Sequence, residues 1–75
     1  SPLKEKVSIQ APMPGLVIEI SVQEGEPVQK GDVLLMLESM KMQNELTAPR
    51  DGIVSRINVS ENQNVERKQT LLILE

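Results

Sequence analysis

At 75 residues with a net charge of −3, the chain has room for one small domain and no basic footprint for nucleic acid. It has no Cys and no His, which removes disulfides, thiol nucleophiles, imidazole bases and the usual zinc ligands. It also has no Phe, Trp or Tyr, so base-stacking platforms are excluded and its thin core must be aliphatic.

In chain order, the first six residues read as the remnant of a linker, and the domain is expected over 7–75. The absence of an initiator Met is expected of a piece or a processed form. Val7, Ile9 and Ala11 alternate with Lys6, Ser8 and Gln10, which predicts a strand over 5–10. After the Pro12–Gly15 turn, Leu16, Ile18, Ile20 and Val22 form one apolar face of a strand over 15–22. Turn signals at Glu24–Pro27 and at Gly31-Asp32 bracket a short strand over 27–29. The apolar run Val33–Leu37 predicts a strand over 33–38 buried on both sides, and it is too short to cross a bilayer, so direct membrane insertion is not expected. A strand over 42–47 turns Leu46, with Ala48 beyond it, inward, and by parity Asn44 and Met42 as well; Gln43, Glu45 and Thr47 face out. Ile53, Ile57 and Val59 mark one face of a strand over 52–59, with Ser55 breaking the pattern. Two strands over 64–66 and 70–75 complete the chain, and no stretch shows helical periodicity. The expected class is all-β: a flattened barrel or sandwich of two four-stranded antiparallel sheets, a barrel-sandwich hybrid.

Sliding the sequence along itself reveals a repeat. Residues 11–38 align with 48–75 at an offset of 37 without a gap, and 12 of the 28 pairs are identical. Turn residues match as well as apolar ones: Ala11-Pro12 and Gly15 repeat as Ala48-Pro49 and Gly52, and Leu34, Leu35 and Leu37 repeat as Leu71, Leu72 and Leu74. Two copies of one motif imply a domain with a quasi-twofold axis, with Leu35 and Leu72 in its core. In the second copy, Asn62 and Lys68 stand where the first has Gly25 and Gly31. Lys accepts positive φ less readily than Gly or Asn, so the departure falls on the turns of the second half.

The copies meet at Glu38-Ser39-Met40-Lys41-Met42. The strand ending near Glu38 must reverse into the one starting near Met42, which predicts a tight hairpin with Lys41 projecting from its tip. A single Lys in a turn is ordinarily a solvated one, and Met40 and Met42 taken alone read as soft filler at a strand end. The combination of Met-Lys-Met, a hairpin and the junction of a gapless repeat points to a modification site.

These residues resemble the biotinyl domain, the biotin carboxyl carrier module of biotin-dependent carboxylases and decarboxylases. That family carries a Met-Lys-Met hairpin, usually preceded by Glu-Ala, between an Ala-Pro-Met-Pro-Gly turn and an Ala-Pro-x-x-Gly turn. Here they read Glu38-Ser39-Met40-Lys41-Met42, Ala11–Gly15 and Ala48–Gly52, with Ser39 in place of the usual Ala. The gapless offset leaves no thumb insertion of the kind found in some bacterial acetyl-CoA carboxylase carriers.

The resemblance implies a non-catalytic carrier whose Lys41 is joined to biotin by an amide. Met40, Met42, Glu38 and Ser39 are then the flanking hairpin motif: the two Met side chains cover the hairpin end, and Glu38 and Ser39 either shape the approach read by the ligase or simply cap a strand end; catalytic and metal-binding residues are not expected. The implied partners are a biotin protein ligase, a biotin carboxylase and a carboxyltransferase acting on an acyl-CoA or pyruvate-type acceptor, or a decarboxylase complex. The isolated domain is expected to be monomeric, and its setting cytoplasmic, or the mitochondrial matrix in a eukaryote. Two rival readings are a lipoyl domain, which usually places Asp before its Lys and Ala or Val after it, and an unmodified barrel domain. A stand-alone enzyme would need paired carboxylates in a cleft. The symmetry-related pairs Glu24/Glu61 and Glu38/Glu75 are the candidates, and strand-end Glu residues are ordinarily solvated.

Overall fold

The period-two pattern becomes eight strands in the computed structural model, which describes residues 5–75. They are β1 (Val7–Gln10), β2 (Gly15–Ile20), β3 (Pro27–Val28), β4 (Val33–Ser39), β5 (Met42–Thr47), β6 (Gly52–Ile57), β7 (Asn64–Val65) and β8 (Thr70–Leu74). The first strand begins at Val7 rather than at residue 5, and β2 and β6 end two residues earlier than the alternation predicts. The expectation of a linker for 1–6 lies, for residues 1–4, outside the described residues. Glu5 is tied down, because the Arg50 guanidinium donates Nη2–H to its carbonyl at 2.6 Å.

Two antiparallel four-stranded sheets result, in the orders β1-β8-β6-β3 and β5-β4-β2-β7. The offset of 37 turns each strand of the first order into its counterpart in the second, so the quasi-twofold axis exchanges the sheets. Each sheet mixes strands from both copies. Neither half can therefore complete a sheet alone.

The hydrogen bonds repeat with the sequence. Gly25 N–H donates to Val54 O at 2.6 Å, and Asn62 N–H donates to Val17 O at 2.6 Å. Gly31 N–H reaches Ala48 O at 2.8 Å, and Lys68 N–H reaches Ala11 O at 2.7 Å. The second-half turns keep the first-half geometry: φ is +71° at Asn62 and +70° at Lys68, against +91° and +92° at the glycines. Lys68 thus holds a left-handed backbone because the bond to Ala11 fixes the turn.

The core between the sheets is wholly aliphatic, and no polar residue is buried in it among the described residues. Leu34, Leu35, Leu37, Leu71, Leu72 and Leu74 are completely buried. The faces of β2 and β6 differ from simple alternation. Val17 and Val54 are fully buried, whereas Leu16 and Ile18 are half-buried and Ile53 is 50% exposed. A bulge in each strand is the cause. On β2, Val17 pairs with Leu37 and Glu19 with Met36, leaving Ile18 unpaired; on β6, Val54 pairs with Leu74 and Arg56 with Ile73, leaving Ser55 unpaired. One extra residue shifts the side-chain parity, so Val17 and Ile20 share a face although their numbers differ by three.

Glu24 and Glu61 are exposed, as expected of strand-end carboxylates, but each also accepts a backbone hydrogen bond from the other half. Glu24 Oε2 accepts Ile57 N–H at 2.9 Å, and Glu61 Oε2 accepts Ile20 N–H at 3.0 Å. Each half thereby caps the end of a strand in the other.

Candidate functional site

The site is built on β4 and β5, the neighbouring strands at one edge of the second sheet. Their register runs Leu37↔Asn44, Glu38↔Gln43 and Ser39↔Met42. Only Met40 and Lys41 remain in the loop. Both have positive φ, +52° and +65°. A two-residue loop with two left-handed residues is the type I′ hairpin turn, whose twist matches that of the strands. It ordinarily carries Asn-Gly. Two side-chain-bearing residues held there cost on the order of 1 kcal/mol each or more. The flanking pairs overcome that cost and keep Lys41 at the tip.

Lys41 is exposed, as the hairpin predicts. Met40 is 91% exposed and Met42 65%. Parity places Met42 on the inward side of β5, but it stands beyond the last core layer, and neither Met fills the strand end. Glu38 is exposed and Ser39 half-buried, so the five motif residues lie together around one turn.

Two supports lie under the hairpin. An added Cβ on Gly15 would stand 2.5 Å from the Glu38 carbonyl oxygen and 3.1 Å from Leu37 Cγ. Gly15 is thus a β2 residue that lets β4 approach closely at the base of the hairpin, not only a turn residue. Asn44 is the second support: its Nδ2 reaches Leu37 O at 3.4 Å, Met42 O at 3.5 Å and the Met13 sulfur at 3.9 Å. These are long bonds, but they link the first residue of β5, the strand beside it and the Ala11–Gly15 loop. The signal for Asn44 in the sequence is a polar residue on the inward face beside Leu46 and Ala48.

The arrangement offers a primary amine on a flexible stem, reachable from solvent, rather than a cleft. No group of three or more Asp, Glu, His or Cys residues is placed to hold a metal ion among the described residues. No helix of the described residues is long and apolar enough to cross a membrane.

A family model described as "Biotin-requiring enzyme" matches residues 7–74. The glutaconyl-CoA decarboxylase subunit gamma of Acidaminococcus fermentans is 55% identical over 40 residues, which is 53% of this chain and 28% of that protein. The methylmalonyl-CoA decarboxylase subunit gamma of Veillonella parvula is 51% identical over 39 residues, 52% of this chain and 30% of that protein. A solved single-chain, multi-domain long-chain acyl-CoA carboxylase superposes with a TM-score of 0.87 at 32% identity, over 97% of this chain and 7% of that one. The matched segments make up less than a third of each of these relatives.

Proposed function

Since the chain belongs to the family of biotin-requiring enzymes, we propose that it is a carrier domain in which Lys41 bears biotin as an amide and takes a carboxyl group from a biotin carboxylase site to a carboxyltransferase site. The observation that carries the reading is the exposed amine in a strained two-residue turn at the junction of the two half-domains. The residues fit the group. Amide formation needs an exposed primary amine that an activated acyl carbon can approach, and the hairpin tip supplies one.

In loading, Lys41 Nζ attacks the acyl carbon of biotinyl adenylate held by a biotin protein ligase. A C–N bond forms, the acyl C–O bond of the mixed anhydride breaks, AMP leaves, and the surplus proton passes to water. When bound, biotin supplies a ureido nitrogen that takes up and releases a carboxyl group. The protein presents and limits. The lysine stem and the cofactor tail together form an arm on the order of 12–14 Å long, and the rigid β4–β5 hairpin fixes the point from which it swings. Tethering makes both encounters intramolecular in effect and raises the effective concentration.

Met40 and Met42 are the apolar surface a ligase would cover on approaching Lys41, and Glu38 and Ser39 shape its edge. The domain supplies no catalytic group of its own in this reading. Decarboxylase gamma subunits and an acyl-CoA carboxylase among the relatives favour a parent complex that acts on an acyl-CoA. Met on both sides of Lys41 favours biotin over lipoate. Lys41→Ala should abolish biotin addition and leave the far-UV circular dichroism spectrum and melting temperature unchanged. Biotin found on another lysine of the variant would overturn the assignment, and loss of folding would contradict the placement of Lys41 outside the core.

A further inference from the structure

We propose that Met40 and Met42 are sites of reversible oxidation to methionine sulfoxide, and that their oxidation slows the loading of Lys41; the second part rests on the carrier reading above. Composition makes the chemistry selective. The chain has no Cys, Trp, Tyr or His, so its four methionines are the side chains that a peroxide readily attacks. The fold then divides the four. Met13 is half-buried and packs on the core, and Met36 is half-buried within β4. Met40 and Met42 are 91% and 65% exposed. The two accessible sulfurs are also the two that flank Lys41.

The step balances with hydrogen peroxide as oxidant. The thioether sulfur attacks one peroxide oxygen, an S–O bond forms and the O–O bond breaks. The sulfur loses two electrons and the second oxygen leaves as water. A dithiol, acting through methionine sulfoxide reductases, reverses it: the sulfoxide oxygen leaves as water and the dithiol becomes a disulfide.

Oxidation replaces a flexible apolar side chain by a polar, chiral one. A ligase closing on Lys41 takes both neighbours out of water. A thioether loses little on burial, whereas an S=O group left without a donor bears a desolvation cost. Loading is therefore expected to slow by about tenfold or more. The fold is expected to persist, because neither side chain belongs to the core.

The test treats the unloaded chain with hydrogen peroxide and follows sulfoxide at each Met by fragment-ion mass spectrometry. The initial rate of biotin addition by a biotin protein ligase is measured before and after treatment. Met40 and Met42 should oxidise ahead of Met13 and Met36, the rate should fall, and methionine sulfoxide reductases A and B with dithiothreitol should restore it. In Met40→Leu/Met42→Leu the treated-to-untreated ratio should stay near unity, whatever that variant's own rate. In Met13→Leu/Met36→Leu it should fall as in the parent. Oxidation of Met13 or Met36 as fast as Met40 or Met42 overturns the proposal. Failure of the untreated parent to accept biotin overturns the carrier reading and the gating with it. A parent that loads equally in both states overturns the gating alone.

Discussion

Replacing Gly15 by Ala tests how the hairpin is supported. The added methyl group would stand 2.5 Å from the Glu38 carbonyl oxygen. Ordinary contact begins near 3.4 Å, so β2 and β4 would have to part by about 0.9 Å. Hydrogen bonds of about 2.9 Å between these strands would then stretch to about 3.8 Å, beyond useful range. β4 cannot yield easily, because it lies between β2 and β5 and carries Leu34, Leu35 and Leu37 in the core. Overpacking of this kind costs about 2–3 kcal/mol, which for a domain of this size lowers the melting temperature by roughly 8–24 °C. With no aromatic residue in the chain, the assay is calorimetry or far-UV circular dichroism rather than intrinsic fluorescence. Gly31→Ala is the comparison: an added Cβ there meets nothing within 4 Å and only the φ of +92° opposes it. It should cost about 1 kcal/mol. A Gly15→Ala domain within about 0.5 kcal/mol of the parent, or less affected than Gly31→Ala, would refute the close-approach argument.

Lys68→Gly should raise stability by about 0.5–1 kcal/mol in thermal unfolding, since it relieves a left-handed Lys; a loss would mean that the Lys68 side chain holds the turn. Glu24→Ala and Glu61→Ala should each lower stability by about 1 kcal/mol and by similar amounts, because each removes one symmetry-related bond to a strand-end N–H. Unequal losses in urea titrations would show that the two halves are not energetically equivalent.

The repeat is legible in the sequence because turn and core residues recur together at one offset, and the exchange of the two sheets follows from it. The hairpin is legible because the strand ending near Glu38 has nowhere to go but back. The bulges are harder to read. Ile18 continues the apolar alternation of β2, so nothing local marks it as unpaired; its counterpart Ser55, which breaks the pattern in β6, is the visible trace of the same bulge. The strain at Met40 and Lys41 is invisible to turn propensities, because neither residue favours positive φ and only the Ser39↔Met42 register imposes it. The capping bonds of Glu24 and Glu61 are not legible because their partners are backbone N–H groups 33 and 41 residues away.

The central claim is that Lys41, in its Met-Lys-Met hairpin, is the attachment point for biotin. The most direct measurement is an intact-mass spectrum after incubation with a biotin protein ligase, ATP and biotin, with a lipoate ligase, ATP and lipoate in parallel, and with fragment ions to locate any added group. One biotinyl group on Lys41 and none from lipoate is the predicted result. Lipoyl addition alone, or no addition to a folded sample, would contradict it.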